Sequence, residues 1–210
     1  QVALTNGLGK SIQEITKPRS DGDQKYDSAT FYSISNCQEG LSRVTLGNFL
    51  IKRVVFEIQE ELPNIKHFGT LSPIPGFRDW FSYLEDVKIK NILGEVPIDN
   101  ISFLKSSDLK IGDPRIVANK VAITKLVAHY LMNEKNHKQL PINDVCRFHL
   151  GNGAIIDDII INANVSEVGL NRSFGVMVNY LYELKNIEKN HEEYINNKTI
   201  TISDKLKKII

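Results

Sequence analysis

Apolar positions along the chain alternate between strand-like and helix-like periods. Residues 29–35 (ATFYSIS) are β-branched and aromatic and read as a strand. Across 46–62, Leu46, Phe49, Leu50, Val54, Ile58 and Leu62 recur at i, i+3 and i+4 spacing, which predicts a helix that Pro63 ends. A short strand at 66–71 follows. A second helix is expected over 115–133, apolar at Ile116, Val117, Val121, Ile123, Val127, Tyr130 and Leu131. Residues 145–168 read as one or two strands, VCRFHL and AIIDDIIINANV, divided by a turn at Gly151-Asn152-Gly153. The stretch 174–184 (FGVMVNYLYEL) fits strand and helix equally, and the polar tail from Ile187 is expected to end in a helix. Residues 17–28 read as an exposed loop. The alternation predicts an α/β or α+β domain.

Composition narrows the function classes. The chain has 210 residues, 41% hydrophobic and 24% charged, with a net charge of +1. That is an ordinary globular balance, with no bulk electrostatic case for nucleic acid or a membrane surface. No apolar run reaches the length of about 18 residues that a membrane span needs. Cys37 and Cys146 do not form a disulfide framework, so a reducing, intracellular setting is the expectation. The opening Val-Ala-Leu-Thr reads as the end of a strand. It suggests a piece of a longer protein, with upstream strands elsewhere and an unpaired sheet edge that would weaken the isolated chain.

Several segments could carry chemistry. In Thr70-Leu71-Ser72-Pro73-Ile74-Pro75-Gly76-Phe77 the two prolines fix φ and remove donors, so neither strand nor helix should continue through them. The Ser72 hydroxyl is then held at a rigid corner. Taken locally, this reads first as a turn and second as a site. The segment 38–48, between a strand and a helix start, carries glycines at 40 and 47 with Arg43, Lys52 and Arg53 nearby. It suits either a pyrophosphate cradle or an ordinary connection. His149 is placed on a strand with Phe148 and Leu150 on the opposite face. It is a candidate for proton transfer, although a lone strand histidine is more often structural. Leu8-Gly9-Lys10-Ser11 hints at a phosphate loop, but Leu4 stands where that loop needs glycine. No histidine has a partner at metal-ligand spacing. Asp157 and Asp158, adjacent on a strand, should point to opposite faces and cannot form one acid–base dyad.

Together, FYSISNCQEGLSRVTLGNFLIKRVVFEIQEELP (31–63), TLSPIPGF (70–77), FHLGNGA (148–154) and GVMVNYLYEL (175–184) resemble the malonyl-CoA decarboxylase family, in that family's order. The resemblance implies a GNAT-like fold, a twisted mixed sheet flanked by helices, incomplete here on its N-terminal side. It implies that residues 1–210 are the C-terminal portion of a catalytic domain, with the family's N-terminal helical domain absent. It implies Ser72, His149 and Tyr182 as catalytic residues, and Arg43, Val44, Thr45, Leu46, Gly47 and Asn48 as the CoA-binding loop. The implied reaction turns malonyl-CoA into acetyl-CoA and carbon dioxide. Ser72 would orient the substrate and a protonated His149 would deliver the proton. No metal or cofactor is expected, because the thioester is itself the electron sink. Malonyl-CoA is the expected partner, with a homo-oligomeric full-length protein in the mitochondrion, peroxisome or cytoplasm, and with neither nucleic acid nor membrane. The alternatives are a GNAT-type acyltransferase and a non-catalytic acyl-CoA-binding subunit. The chain departs from the family at Asp158-Ile159-Ile160-Ile161, where Arg-Ile-Asn-Trp is common, and at Asn164, where aspartate is common. Both changes alter charge near the His149 segment.

Overall fold

In the computed structural model, residues 1–17, 25–34 and 47–210 are described. The strands are β1 (Val2–Thr5), β2 (Ser28–Phe31), β3 (His67–Thr70), β4 (Ser72–Pro73), β5 (Ile155–Ile160) and β6 (Met177–Leu181). β1 pairs antiparallel with β2, and β2 pairs parallel with β3. The parallel pair is joined through helix α2 (Gly47–Glu61), as a parallel connection requires. β3 and β4 both lie antiparallel to one edge of β6, and β5 covers its other edge. The result is a six-stranded mixed sheet with helices packed on it, the class that the alternating pattern predicts. The ambiguous stretch 174–184 contributes the strand β6, which the sheet claims by pairing it on both edges.

The proline corner differs from expectation. Ser72 pairs with Val178 and Pro73 with Met177, in the same register that pairs Gly69 with Leu181. The chain therefore continues as a strand through the first proline. This is tolerated because Pro73 lies on an edge strand, where no ladder donor is demanded of it. The ladder is interrupted only at Thr70 and Leu71. There Leu71 N donates to Phe31 O on β2 at 2.9 Å, and Asn179 Nδ2 donates to Thr70 O at 2.8 Å.

Helices α1 (Ile12–Ile15), α3 (Phe77–Ser82) and α4 (Asp86–Leu93) precede the helix expected at 115–133. That helix is divided into α5 (Pro114–Ala118) and α6 (Lys120–Met132). At the break, Asn119 Nδ2 donates to the Arg115 carbonyl at 2.9 Å, a side chain competing with the helical ladder. VCRFHL, expected as a strand, is helix α7 (Asp144–Gly151). Asn143 caps it, its side chain accepting from Cys146 N at 2.8 Å, and the buried residues Cys146, His149 and Leu150 follow helical spacing. Helices α8 (Glu167–Ser173), α9 (Ile187–Asn197) and α10 (Asp204–Lys207) complete the chain. Gly153 is essential to the turn after α7. Its φ is +80°, and an added Cβ would lie 2.1 Å from the Ile187 carbonyl oxygen.

Period-2 alternation divides the sheet faces. Through the common register, Phe68, Thr70, Ser72, Val178, Tyr180 and Tyr182 share one face. The main core on that side includes Phe68, Phe77, Ile123, Leu126, Leu150, Ile156 and Val178, all essentially inaccessible. Asn179 and Leu181 share the other face.

Candidate active site

Helix α7 packs on the face that carries the β4 and β6 side chains, and there three predicted residues meet. His149 Nε2 lies 3.0 Å from Ser72 Oγ, and His149 Nδ1 lies 2.8 Å from Tyr182 Oη. Ser72 Oγ donates to Thr70 Oγ1 at 2.8 Å. The imidazole stacks on Tyr180, with centroids 4.4 Å apart and planes inclined by 24°. All five residues are buried. Among the described residues, His149 is the one partner of the Tyr182 hydroxyl, so the arrangement that leaves no buried proton unpaired has Tyr182 donating to Nδ1. Nε2–H then donates to Ser72 Oγ, whose own proton is directed at Thr70.

Burial moves these groups toward their neutral forms. The His149 pKa falls from 6.5 to about 3, and desolvation is the cause. Desolvation likewise raises Tyr182 and Tyr180 far above the ordinary phenol value. Without a neighbouring anion, burial therefore favours the neutral imidazole. Cys146 lies one turn before His149 on α7. Its thiol is pushed up to about 12, chiefly by burial, which makes it inert as a nucleophile.

Thr70 and Tyr180 are site residues that sequence reasoning missed. Each stands two positions before a residue it singled out, Ser72 and Tyr182, and period-2 alternation was the signal available. Of the expected CoA-binding loop, Arg43, Val44, Thr45 and Leu46 lie outside the described residues, as does Cys37. Gly47 and Asn48 begin α2, so the backbone there does open a helix as expected.

The pair Asp157 and Asp158 corrects the expectation that these side chains point to opposite faces. A bulge between Ile156 and Asp158 breaks the alternation. Both carboxylates consequently meet Lys205, at 2.8 and 3.3 Å. Asp158 pairs with Asn179 on the sheet, so this departure from the family pattern lies on the face away from His149 and is charge-compensated there. Asn164 is likewise engaged, accepting from Ser166 Oγ at 2.8 Å. These carboxylates help line a cavity of about 1010 Å³ with Gly7, Lys10, His67, Asn179 and Lys205. Within it, Asp157 and Asp158 are paired with Lys205. The converging buried polar groups are on the opposite face. Among the described residues no group of three His, Cys, Asp or Glu is placed to hold a metal, and no helix is long and apolar enough to cross a membrane.

The helix-flanked mixed sheet defines an α/β domain that carries a buried, hydrogen-bonded serine–histidine–tyrosine chain. Comparison with known proteins specifies it further. A family model described as the malonyl-CoA decarboxylase C-terminal domain matches residues 1–210. The mitochondrial malonyl-CoA decarboxylase of Rattus norvegicus is 37% identical over 100% of this chain and 47% of its own length. Crystal structures of malonyl-CoA decarboxylase from Rhodopseudomonas palustris and Agrobacterium vitis superpose with TM-scores of 0.87 and 0.85, at 36% and 34% identity. Each alignment covers 99% of this chain, and 48% and 52% of the respective structures. The chain belongs to the malonyl-CoA decarboxylase family. It spans about half the length of the curated relatives it matches.

Proposed function

We propose that this chain supplies the proton-transfer site for converting malonyl-CoA to acetyl-CoA and carbon dioxide in the complete protein. The observation that carries this reading is the buried contact of Ser72 with His149, in a chain of that family. Decarboxylation leaves the pair of electrons from the broken C–C bond in the thioester, as an enolate. Ser72 turns its hydroxyl from Thr70 toward the substrate, holding the carboxylate out of the thioester plane or meeting the growing oxyanion. A preorganised donor of this kind lowers such barriers by about 3–4 kcal/mol. The carbon then takes one proton, and carbon dioxide leaves.

The neutral resting state of His149 fits this balance. Consumption of a carboxylate and release of carbon dioxide take up one proton per turnover. The malonyl carboxylate, and the enolate that follows, bring an opposite charge to the imidazole and favour its cationic form. His149 acquires its proton with the substrate and gives it to carbon. In the cation both ring nitrogens donate, so Nδ1 turns from acceptor to donor toward the Tyr182 oxygen, and the tyrosine's own proton rotates away from the ring. The thioester carbonyl accepts the electron pair, and the reaction as written needs no cofactor. The reading carries with it a role for segment 42–48 in holding the CoA pyrophosphate, an intracellular setting and a homo-oligomeric complete protein in which residues 1–210 are the C-terminal part of the catalytic domain.

The test replaces His149 with Gln and Ser72 with Ala in the complete protein. Acetyl-CoA formation should fall by about two orders of magnitude or more in each. Near-native turnover in either variant overturns the role given to that residue.

A further inference from the structure

Ser72 and His149 are 77 residues apart and lie on separate elements, so something must fix their separation. Besides the direct Ser72–His149 contact, the capping side chain of α7 ties the two segments. Asn143, 2% exposed, accepts from Cys146 N at 2.8 Å and so caps α7. Its Nδ2 donates to the Pro75 carbonyl at 2.9 Å. The same carbonyl accepts from Tyr130 Oη, on α6, at 3.0 Å. Gly76 makes room for this second donor, because an added Cβ would lie 2.8 Å from the Tyr130 hydroxyl. Arg147 Nη1 donates to the carbonyls of Pro141 and Ile142, at 2.6 and 2.8 Å, holding the segment that leads to Asn143. Between Ser72 and Pro75 the backbone is stiffened by two prolines and the wholly buried Ile74.

We propose that Asn143 is a positioning residue that sets the distance between Ser72 and His149, with Tyr130 as its helper. Fixing Pro75 fixes Ser72, because the intervening chain has little torsional freedom. Capping α7 fixes His149, because the helix is a rigid rod from Asn143 onward. One amide does both, by accepting at one end and donating at the other. A carboxylate could cap the helix but has no proton to give Pro75, whereas the Asn143 amide accepts and donates through separate atoms. The proposal rests on the reading of Ser72 and His149 given above.

The experiment is a double-mutant cycle in the complete protein, using N143S, Y130F and S72A with malonyl-CoA as substrate. Serine retains the cap but is too short to reach Pro75. A displacement of reacting groups by about 1 Å can lower rates by about 100-fold. N143S is accordingly expected to lower kcat by about 30–100-fold with KM changed less than about threefold. Y130F, which keeps the ring, should lower kcat by about three- to tenfold. In the S72A background neither substitution should matter by more than about twofold, since no serine remains to be placed. A merely structural defect would reduce activity by the same factor in both backgrounds, and that result overturns the proposal. So does an unchanged kcat in N143S. If N143S fails to fold, the Y130F cycle decides by the same criterion. Full activity in S72A alone would instead overturn the reading of the site, and is distinguishable from failure of the brace.

Discussion

The buried neutral imidazole should make the protein acid-sensitive through a single residue. Unfolded His149 takes up a proton as the pH falls through 6.5, whereas the folded side chain resists until about 3. Between those values the unfolded chain binds the additional proton, so stability falls as the pH falls. With those two pKa values, moving from about pH 7 to about pH 5 costs about 2 kcal/mol from this group alone. Among the described residues the ring meets the neutral side chains of Ser72, Phe148, Tyr180 and Tyr182, and desolvation is the cause of the shift. The assay is urea unfolding at both pH values, followed by circular dichroism, for the parent protein and H149Q. Glutamine does not titrate. The parent should lose about 2 kcal/mol more than the variant over this interval. Carboxylates held low in the fold, such as Asp27 beside Ser28 and the Gly7 amide, add acid sensitivity at lower pH. They are common to both proteins and cancel in the difference. Equal pH dependence in parent and variant would refute a buried, neutral His149.

Two further outcomes follow from the same geometry. In the S72A protein, which should bind without rapid turnover, malonyl-CoA binding should take up close to one proton. Calorimetry in buffers of different ionisation enthalpy reads that number, and a value near zero at about pH 8 would refute substrate-coupled protonation. Replacement of Tyr180 by Phe, which keeps the ring under His149, should preserve kcat within about threefold, whereas Leu should lower it by about tenfold or more with KM little changed. Equal kcat in the two variants would show that the stack does not orient the imidazole.

The parts of the fold visible in sequence were those with long, one-sided apolar patterns, such as α2 and the sheet strands. The misreading of α7 has a specific cause. Over six residues, VCRFHL satisfies alternation about as well as a helical stripe, and Asn143 followed by Asp144, the capping signal that separates the two, lies just upstream. The bulge at Asp157 has no marker of its own, since it arises from how β5 meets β6. The site was legible only in part for a related reason. Ser72 and His149 stood out by residue type and by the order of their motifs. Thr70, Tyr180 and Asn143 gain their roles from the pairing of Ser72 with Val178 and from the packing of α7, which are long-range facts.

That difference bears on why the trio is buried at all. A histidine exposed to water would be about one-quarter protonated at pH 7 whether or not substrate were present, and its proton could be lost to solvent during the lifetime of the enolate. Sinking it beneath the sheet face removes both problems. The empty site holds no charge that needs solvation, so serine, histidine and tyrosine pair with one another without a buried carboxylate. In the proposed reaction, the anion that makes the imidazole a cation is the same anion whose breakdown requires the proton. Such coupling demands that the ring neither tilt nor recede when its charge changes. Tyr180 beneath it, Tyr182 at Nδ1 and the Asn143 tie to Pro75 restrain it along three separate directions. The cavity on the far face of the sheet, where Asp157 and Asp158 pair with Lys205, lies outside these three restraints. The proposed site thus coincides with neutral groups that hold one another rigidly, on the sheet face away from that cavity.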